Sequence, residues 1–379
     1  MRTTILGTGA IAGQHARAIR ELAAHGITAQ VTHAVDIDAD RAARFAAEHD
    51  VPRHGTSLAE ALPETDVLHV CTPPGAHLDA TLAALAAGVH VIVEKPAVLS
   101  LAELDRIAVA ERSAAPARSG PGTARFTQVV QHRFGAGALR LRRLLDDGAL
   151  GRPLVATCDT LWFRPPAYFD VPWRGRWDTE GGGPTMGHGI HQFDLLLAIF
   201  GPWTEVTAMA GRLAREVDTE DVSMAIVRFA NGAMASVTNS LLSPRETSGL
   251  RFDTERATVE LSHLYGYSDE NWTFTPARGQ DEAARLWIPE PDALPSGHTA
   301  QFVPTYQAFA TGETPPVTVD DARGTLELAA AIYRSAFTGA PVRAGQIGPD
   351  DPFHESMRGT GPEWAPVKDV PAGIEEVVR

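Results

Sequence analysis

The segment Thr3-Thr4-Ile5-Leu6-Gly7-Thr8-Gly9-Ala10-Ile11-Ala12 decides the fold of the first third of the chain. A short run rich in β-formers runs into a turn of the form G-x-G-x-x-A, and the pattern then becomes helical up to a stop at Gly26. In such a turn the first glycine permits the bend and the second lets backbone approach a pyrophosphate. The small third residue lets helix and strand pack closely, and the phosphates rest on the helix N-terminus. The next apolar strand, Val31 to Val35, ends at Asp36, where a carboxylate can accept from both ribose hydroxyls of an adenosine and repel a 2′-phosphate. Ile37 beside it adds no positive charge, so NAD is expected and NADP less so. The alternative reading of Asp36 is the N-cap of the following helix.

Working outward, strands continue to alternate with helices. Val67 to Cys71 and Val89 to Val93 are apolar runs, and Gly88 stands where a helix C-cap belongs. Right-handed βαβ units at this spacing build a doubly wound parallel sheet. Ser113 to Gly122 reads as a surface loop before one more strand, Phe126 to Gln131. Beyond Gly151 the period becomes two, over Leu154–Phe163, Val206–Leu213, Val222–Phe229 and Met234–Leu241, with Asn231-Gly232 as a type I′ hairpin signal. The expected class is therefore α/β plus α+β. A Rossmann domain over residues 1–132 precedes an α+β domain with a large, mostly antiparallel open sheet over 133–340, and the Pro- and Gly-containing tail 341–379 has no assigned role.

At 379 residues the chain exceeds the roughly 250 to 300 at which single cores stop growing. A net charge of −14 excludes a surface built to neutralise nucleic acid. No apolar run reaches the ~18 residues of a membrane span, and two cysteines do not make a disulfide framework, so a cytoplasmic location is expected.

Two segments carry residues suited to chemistry. Glu94-Lys95-Pro96 follows an apolar strand, at the carboxyl edge where ligands of such sheets bind. An ammonium there can stabilise charge on a substrate oxygen, or help deprotonate it if burial lowers the lysine pKa; a surface lysine fits the position equally. Gly181-Gly182-Gly183 leads to a helix ending near Phe200. Phe193, Leu196, Leu197 and Phe200 form its apolar stripe, while Gly187, His191 and Asp194 share the opposite face with His188 at its margin. A histidine near its ordinary pKa suits acid/base work, although a structural histidine fits too. His188 and His191 lack the companion ligands of a metal site, and none is expected.

Taken together, the Gly7–Ala12 loop, Cys71-Thr72-Pro73-Pro74 followed by His77, Glu94-Lys95-Pro96, Gln131-His132-Arg133-Phe134 and Gly181-Gly182-Gly183 leading to Gly189-Ile190-His191 resemble the Gfo/Idh/MocA family, from residue 1 to about 340. The resemblance implies that Lys95 is the catalytic lysine and His191 its acid/base partner. Thr72, Pro73, His77 and Glu94 then join Gly7, Thr8, Gly9, Ala10, Ile11, Asp36 and Lys95 around the cofactor. It also implies association through the open sheet face, as a homodimer or homotetramer. The segment Trp162 to Trp177 resembles the substrate-side loop of members acting on sugars, with Arg164, Tyr168, Trp173 and Arg174 joining His188 and His191 as substrate contacts; simple loop packing is the alternative. One departure stands out: where the family commonly places an acidic or amide residue, four positions before the histidine, this chain has Gly187.

The expected reaction is hydride transfer between nicotinamide and a hydroxyl-bearing carbon of a sugar, inositol or sugar derivative. An NAD-dependent redox-assisted glycosidase and a non-catalytic NAD-binding protein are the alternatives. If catalysis survives at Gly187, His188 or Asp194 is expected to take over the missing side chain's work.

Overall fold

The computed structural model describes residues 1–290 and 293–368. Six strands, β1 (Arg2–Leu6), β2 (Gln30–Val35), β3 (Arg53–Gly55), β4 (Val67–Val70), β5 (His90–Val93) and β6 (Phe126–Gln128), pair in parallel in the order β3-β2-β1-β4-β5-β6. Helices α1 (Ala12–Glu21), α2 (Ala39–His49), α3 (Leu58–Ala61), α4 (His77–Ala86) and α5 (Leu101–Arg112) lie between them in the chain. β4 and β5 are buried at every position, as strands covered on both faces must be. The strand order reverses between β1 and β4, so a crevice opens at their carboxyl ends, beside Gly7 and Cys71.

A helix from beyond the boundary expected at residue 132 packs back on the first sheet. α8 (His298–Thr311) returns to it, and Phe302, Tyr306 and Phe309 join Ile5, Val67 and Ile92 in one apolar cluster. Apolar spacing marks α8 as a buried helix but carries no information about which sheet it covers. The strand expected to reach Gln131 stops at Gln128, because Val130 donates its amide to the Gln301 side chain and the chain turns into a 3-10 segment, Gln131–Phe134.

The second sheet contains β7 (Pro153–Phe163), β8 (Trp203–Gly211), β9 (Val222–Phe229), β10 (Met234–Ser240), β11 (Leu242–Thr254), β12 (Ala257–His263), β13 (Trp272–Pro276) and β14 (Val342–Arg343). Their order is β13-β12-β11-β7-β10-β9-β8-β14, antiparallel except where β10 meets β7. Alternate residues of β8 to β10 are buried and the others face outward, with α9 (Val319–Thr338) packed on β8 and α7 (Ile190–Phe200) on β7 and β11. α6 (Ala136–Asp146) precedes this sheet in the chain and packs on α7. The hairpin at Asn231-Gly232 is present, but only Gly232 has positive φ, at 91°. The turn is thus not type I′; Asn231 instead uses its side chain, accepting from Ala233 N and donating to Phe200 O.

The tail has a structural role up to residue 368; residues 369–379 lie outside the described residues. β14 extends the sheet at β8, Phe353 of α10 (Pro352–Glu355) is buried, and Lys368 Nζ donates to the carbonyls of Phe169 and Arg174. No helix among the described residues is long and apolar enough to cross a membrane.

Candidate active site

The glycine turn has the geometry a dinucleotide requires. A Cβ on Gly7, whose φ is 83°, would lie 2.7 Å from Thr72 N, so only glycine lets the β1 turn press against the end of β4. A Cβ on Gly9 would meet nothing within 4 Å, so the turn is open at this point. Ala10 and Ile11 are partly or fully exposed, and no side chain caps the first turn of α1. A cleft of about 580 Å³ runs from Ala10, Ile11 and Gln14 to Gln131, His132 and Tyr265. Thr72 Oγ1 lies buried without a protein partner at the inner end of the turn. Asp36 Oδ2 accepts from Thr8 N at 2.8 Å and Thr8 Oγ1 at 2.9 Å, and Oδ1 accepts from Asp38 N. Asp38, not Asp36, caps α2, so the capping alternative fails. Positive charge does approach Asp36, however: Arg41 Nη1 is 3.5 Å from its Oδ1, a helical turn beyond the exposed Ile37. These residues fit NAD.

Behind the cleft a buried polar chain supports Glu94. His15 Nε2 is 2.9 Å and His298 Nε2 3.2 Å from Glu94 Oε1, while Lys95 N donates to Oε2. His15 Nδ1 meets His69 Nδ1 at 2.7 Å, and His69 Nε2 meets the Tyr306 hydroxyl at 2.8 Å. One assignment satisfies every link with neutral rings: Tyr306 donates to His69, His69 to His15, and His15 to Glu94. Burial alone would push the Glu94 carboxyl up, but these hydrogen bonds outweigh it and hold it well below the usual range. Glu94 therefore anchors the Lys95 backbone more than it faces the cleft. His77 is also corrected from ligand contact to support. It is fully buried, with Nε2 2.8 Å from Thr72 O and Nδ1 2.9 Å from Pro96 O, so it ties the Thr72-Pro73 turn to the lysine loop.

Lys95 reaches across the seam: its Nζ donates to Gly187 O at 2.9 Å, one turn before His191. Burial lowers the lysine pKa, and the charges of Glu94 and Glu180 oppose that fall. His191 is not at its ordinary pKa. Burial, then the charge of Lys95 and the neighbouring His132, hold it well below the usual imidazole range, so it is neutral. Nor does its helix face open to water: His191 packs against His132 and Tyr265, with ring centroids 5.0 and 5.5 Å away. Asp194 on that face is bound by Arg133 in a two-pronged pair at 2.7 Å and by Thr325 Oγ1, so it is structural and cannot act for Gly187. His188 is buried with an unpartnered Nδ1 against Trp162 and Tyr168.

The aromatic loop gathers over this floor. Arg174 stacks between Tyr168 and Trp173, 4.0 and 4.2 Å from their centroids, and its guanidinium also donates to the Tyr168 hydroxyl and, at 3.3 Å, to Glu180 Oε1. Arg164 covers Trp162 and pairs with Glu246 at 3.0 Å. The sequence reading missed His132, Tyr265 and Glu180. His132 and Tyr265 line the cleft, and burial and the Lys95 charge push the His132 pKa down to about 3. Only the Gln131-His132-Arg133-Phe134 motif pointed toward any of them.

A Rossmann crevice suited to NAD, whose buried lysine meets a histidine helix of the second unit, defines an NAD-dependent oxidoreductase. Residues 1–116 match the oxidoreductase family with an NAD-binding Rossmann fold, and residues 138–279 match the GFO/IDH/MocA C-terminal domain. The chain belongs to the GFO/IDH/MocA family. It is similar to the 1,5-anhydro-D-fructose reductase of Ensifer adhaerens, at 26% identity over 82% of this chain and 90% of the relative. It is also similar to the D-glucoside 3-dehydrogenase of Escherichia coli (strain K12), at 26% over 73% and 79%. Among solved structures, the WlbA dehydrogenase from Bordetella pertussis in complex with NADH and UDP-GlcNAcA superposes with a TM-score of 0.78, at 26% identity, covering 90% of this chain and 97% of that one.

Proposed function

We propose that the chain oxidises, or in reverse regenerates, a secondary hydroxyl of a sugar or sugar derivative, with Lys95 and His191 at the reacting oxygen. The observation that carries this reading is the Lys95–Gly187 hydrogen bond, which joins the carboxyl edge of the parallel sheet to the helix bearing His191. NAD, when bound, supplies the hydride acceptor at nicotinamide C4. Lys95 donates a hydrogen bond to the substrate oxygen, and the neutral His191 takes the hydroxyl proton as the carbonyl forms. Tyr168, Trp173 and Arg174 offer aromatic faces and donors to a polyhydroxylated ring. The arginines of the loop already face carboxylates, Arg164 with Glu246, Arg174 with Glu180 and Arg176 with Asp178, so the loop reads hydroxyls in preference to a free carboxylate group. Supporting the sugar class are the relatives named for sugars and the UDP-GlcNAcA bound in the Bordetella complex.

The outer face of the second sheet is proposed as the homo-oligomer interface. Met209, Met224 and Ile226 project from adjacent strands with 80%, 58% and 51% exposure.

The test is NADH formation across a panel of free sugars, inositols, glycosides and sugar nucleotides. Stoichiometric NADH with a keto-sugar product is expected. Glycoside cleavage without net NADH would replace this reading with the redox-assisted glycosidase, and tight NAD binding with no turnover on any member would replace it with a non-catalytic protein.

A further inference from the structure

We propose that Glu180 is a positioning residue for Lys95, supplying from the loop before α7 the carboxylate that the glycine at 187 does not carry. A Cβ built on Gly187 would lie 3.6 Å from Glu180 Oε1, so the carboxylate stands where a side chain at 187 would grow. The carbonyl of that same glycine accepts from Lys95 Nζ. Glu180 and the lysine head thus meet over one residue.

The carboxylate is held in place by several features. Glu180 is only 6% exposed, and its Oε2 accepts from Gly175 N at 2.6 Å. Gly175 itself has φ 68°, and a Cβ there would strike Val217 at 2.6 Å, so the turn presenting this amide requires glycine. Lys368 braces the same turn from the tail through the carbonyls of Phe169 and Arg174. Among the described residues Oε1 receives the longer 3.3 Å bond from Arg174, which leaves it able to accept from a nearer donor. A carboxyl buried this deeply is costly unless its charge is used, and burial does raise its pKa. The groups acting on Lys95 are Glu94, Glu180 and Arg174, with the imidazoles of His132, His188 and His191 in its field. Burial, and then Arg174, press the ammonium toward neutrality, and the two carboxylates oppose that fall.

The inference rests on the reading of Lys95 as the group at the reacting oxygen. With NAD(H) and the substrate found by the panel, Glu180→Gln should lower kcat by up to about 100-fold, as expected for a misplaced reacting group, while NAD affinity holds. The high-pH limb of the reduction rate, where the ammonium is lost, should move to lower pH. Gly187→Asp alone should impair the enzyme by crowding two carboxylates. In a Glu180→Ala background the same change should restore much of the lost rate and return the limb toward its native position. Native rate and limb in Glu180→Gln would overturn the inference, as would a Glu180→Ala, Gly187→Asp double variant no better than Glu180→Ala. If Lys95→Ala itself turns over normally, the reading beneath fails; if Lys95→Ala is inactive and Glu180→Gln is native, the inference alone fails.

Discussion

Asp36 holds the glycine loop through Thr8, and in the proposed reading it also accepts from the ribose. Because Oδ2 already holds Thr8 N and Oγ1, Asp36→Ala should loosen the glycine turn as well as remove a ribose acceptor. Losing charge-assisted bonds of ~1.5–3 kcal/mol should weaken NAD by about 10- to 100-fold and narrow the preference over NADP. Asp36→Asn, which keeps one acceptor oxygen, should lose less. Titration checks both variants, and tighter NADP than NAD binding by the native protein would contradict the assignment. The placement of Asp36 and Lys95 at strand ends was readable in the sequence because each follows a strand by a fixed local offset. The fates of Asp194 and Glu180 were not: Arg133 lies 61 residues before the one, and the seam of Lys95 and Gly187 brings partners from separate units to the other.

At the scale of elements, the glycine loop before α7 hangs on a buried acid. Glu220 accepts from Gly183 N, Thr185 N and the Tyr333 hydroxyl, and burial pushes its pKa up to about 7 despite those donors. Folding therefore favours the protonated form. Its contribution is full below the ordinary glutamate range and is lost as pH rises through about 7. With ~1.4 kcal/mol per tenfold change in proton affinity, on the order of 3 kcal/mol at most is in play. Between pH 6 and 8, Tm should fall more steeply for the native protein than for Glu220→Gln, whose baseline is lower but flatter; equal slopes would remove Glu220 from the account. The strands around this loop were legible from their period of two. The hairpin's true turn type was not, because Asn231 spends its side chain on the backbone and never enters positive φ.

For the whole molecule, what the sequence hid was long-range closure. α8 completes the first core and the tail braces the aromatic loop, and neither association has a local signal. The outward Met209, Met224 and Ile226 predict a dimer or tetramer by gel filtration with light scattering, and Met224→Glu should shift it toward monomer; a native monomer at micromolar concentration would refute the interface. The division of labour between the two units is tested most directly by Lys95→Ala. Its NAD affinity should stay within a few-fold of native while kcat/KM falls by at least about 100-fold, since the lysine lies at the seam and not on the phosphate turn. Native turnover by that variant on the substrate the wild type uses would contradict the assignment of the reacting oxygen to Lys95 and His191.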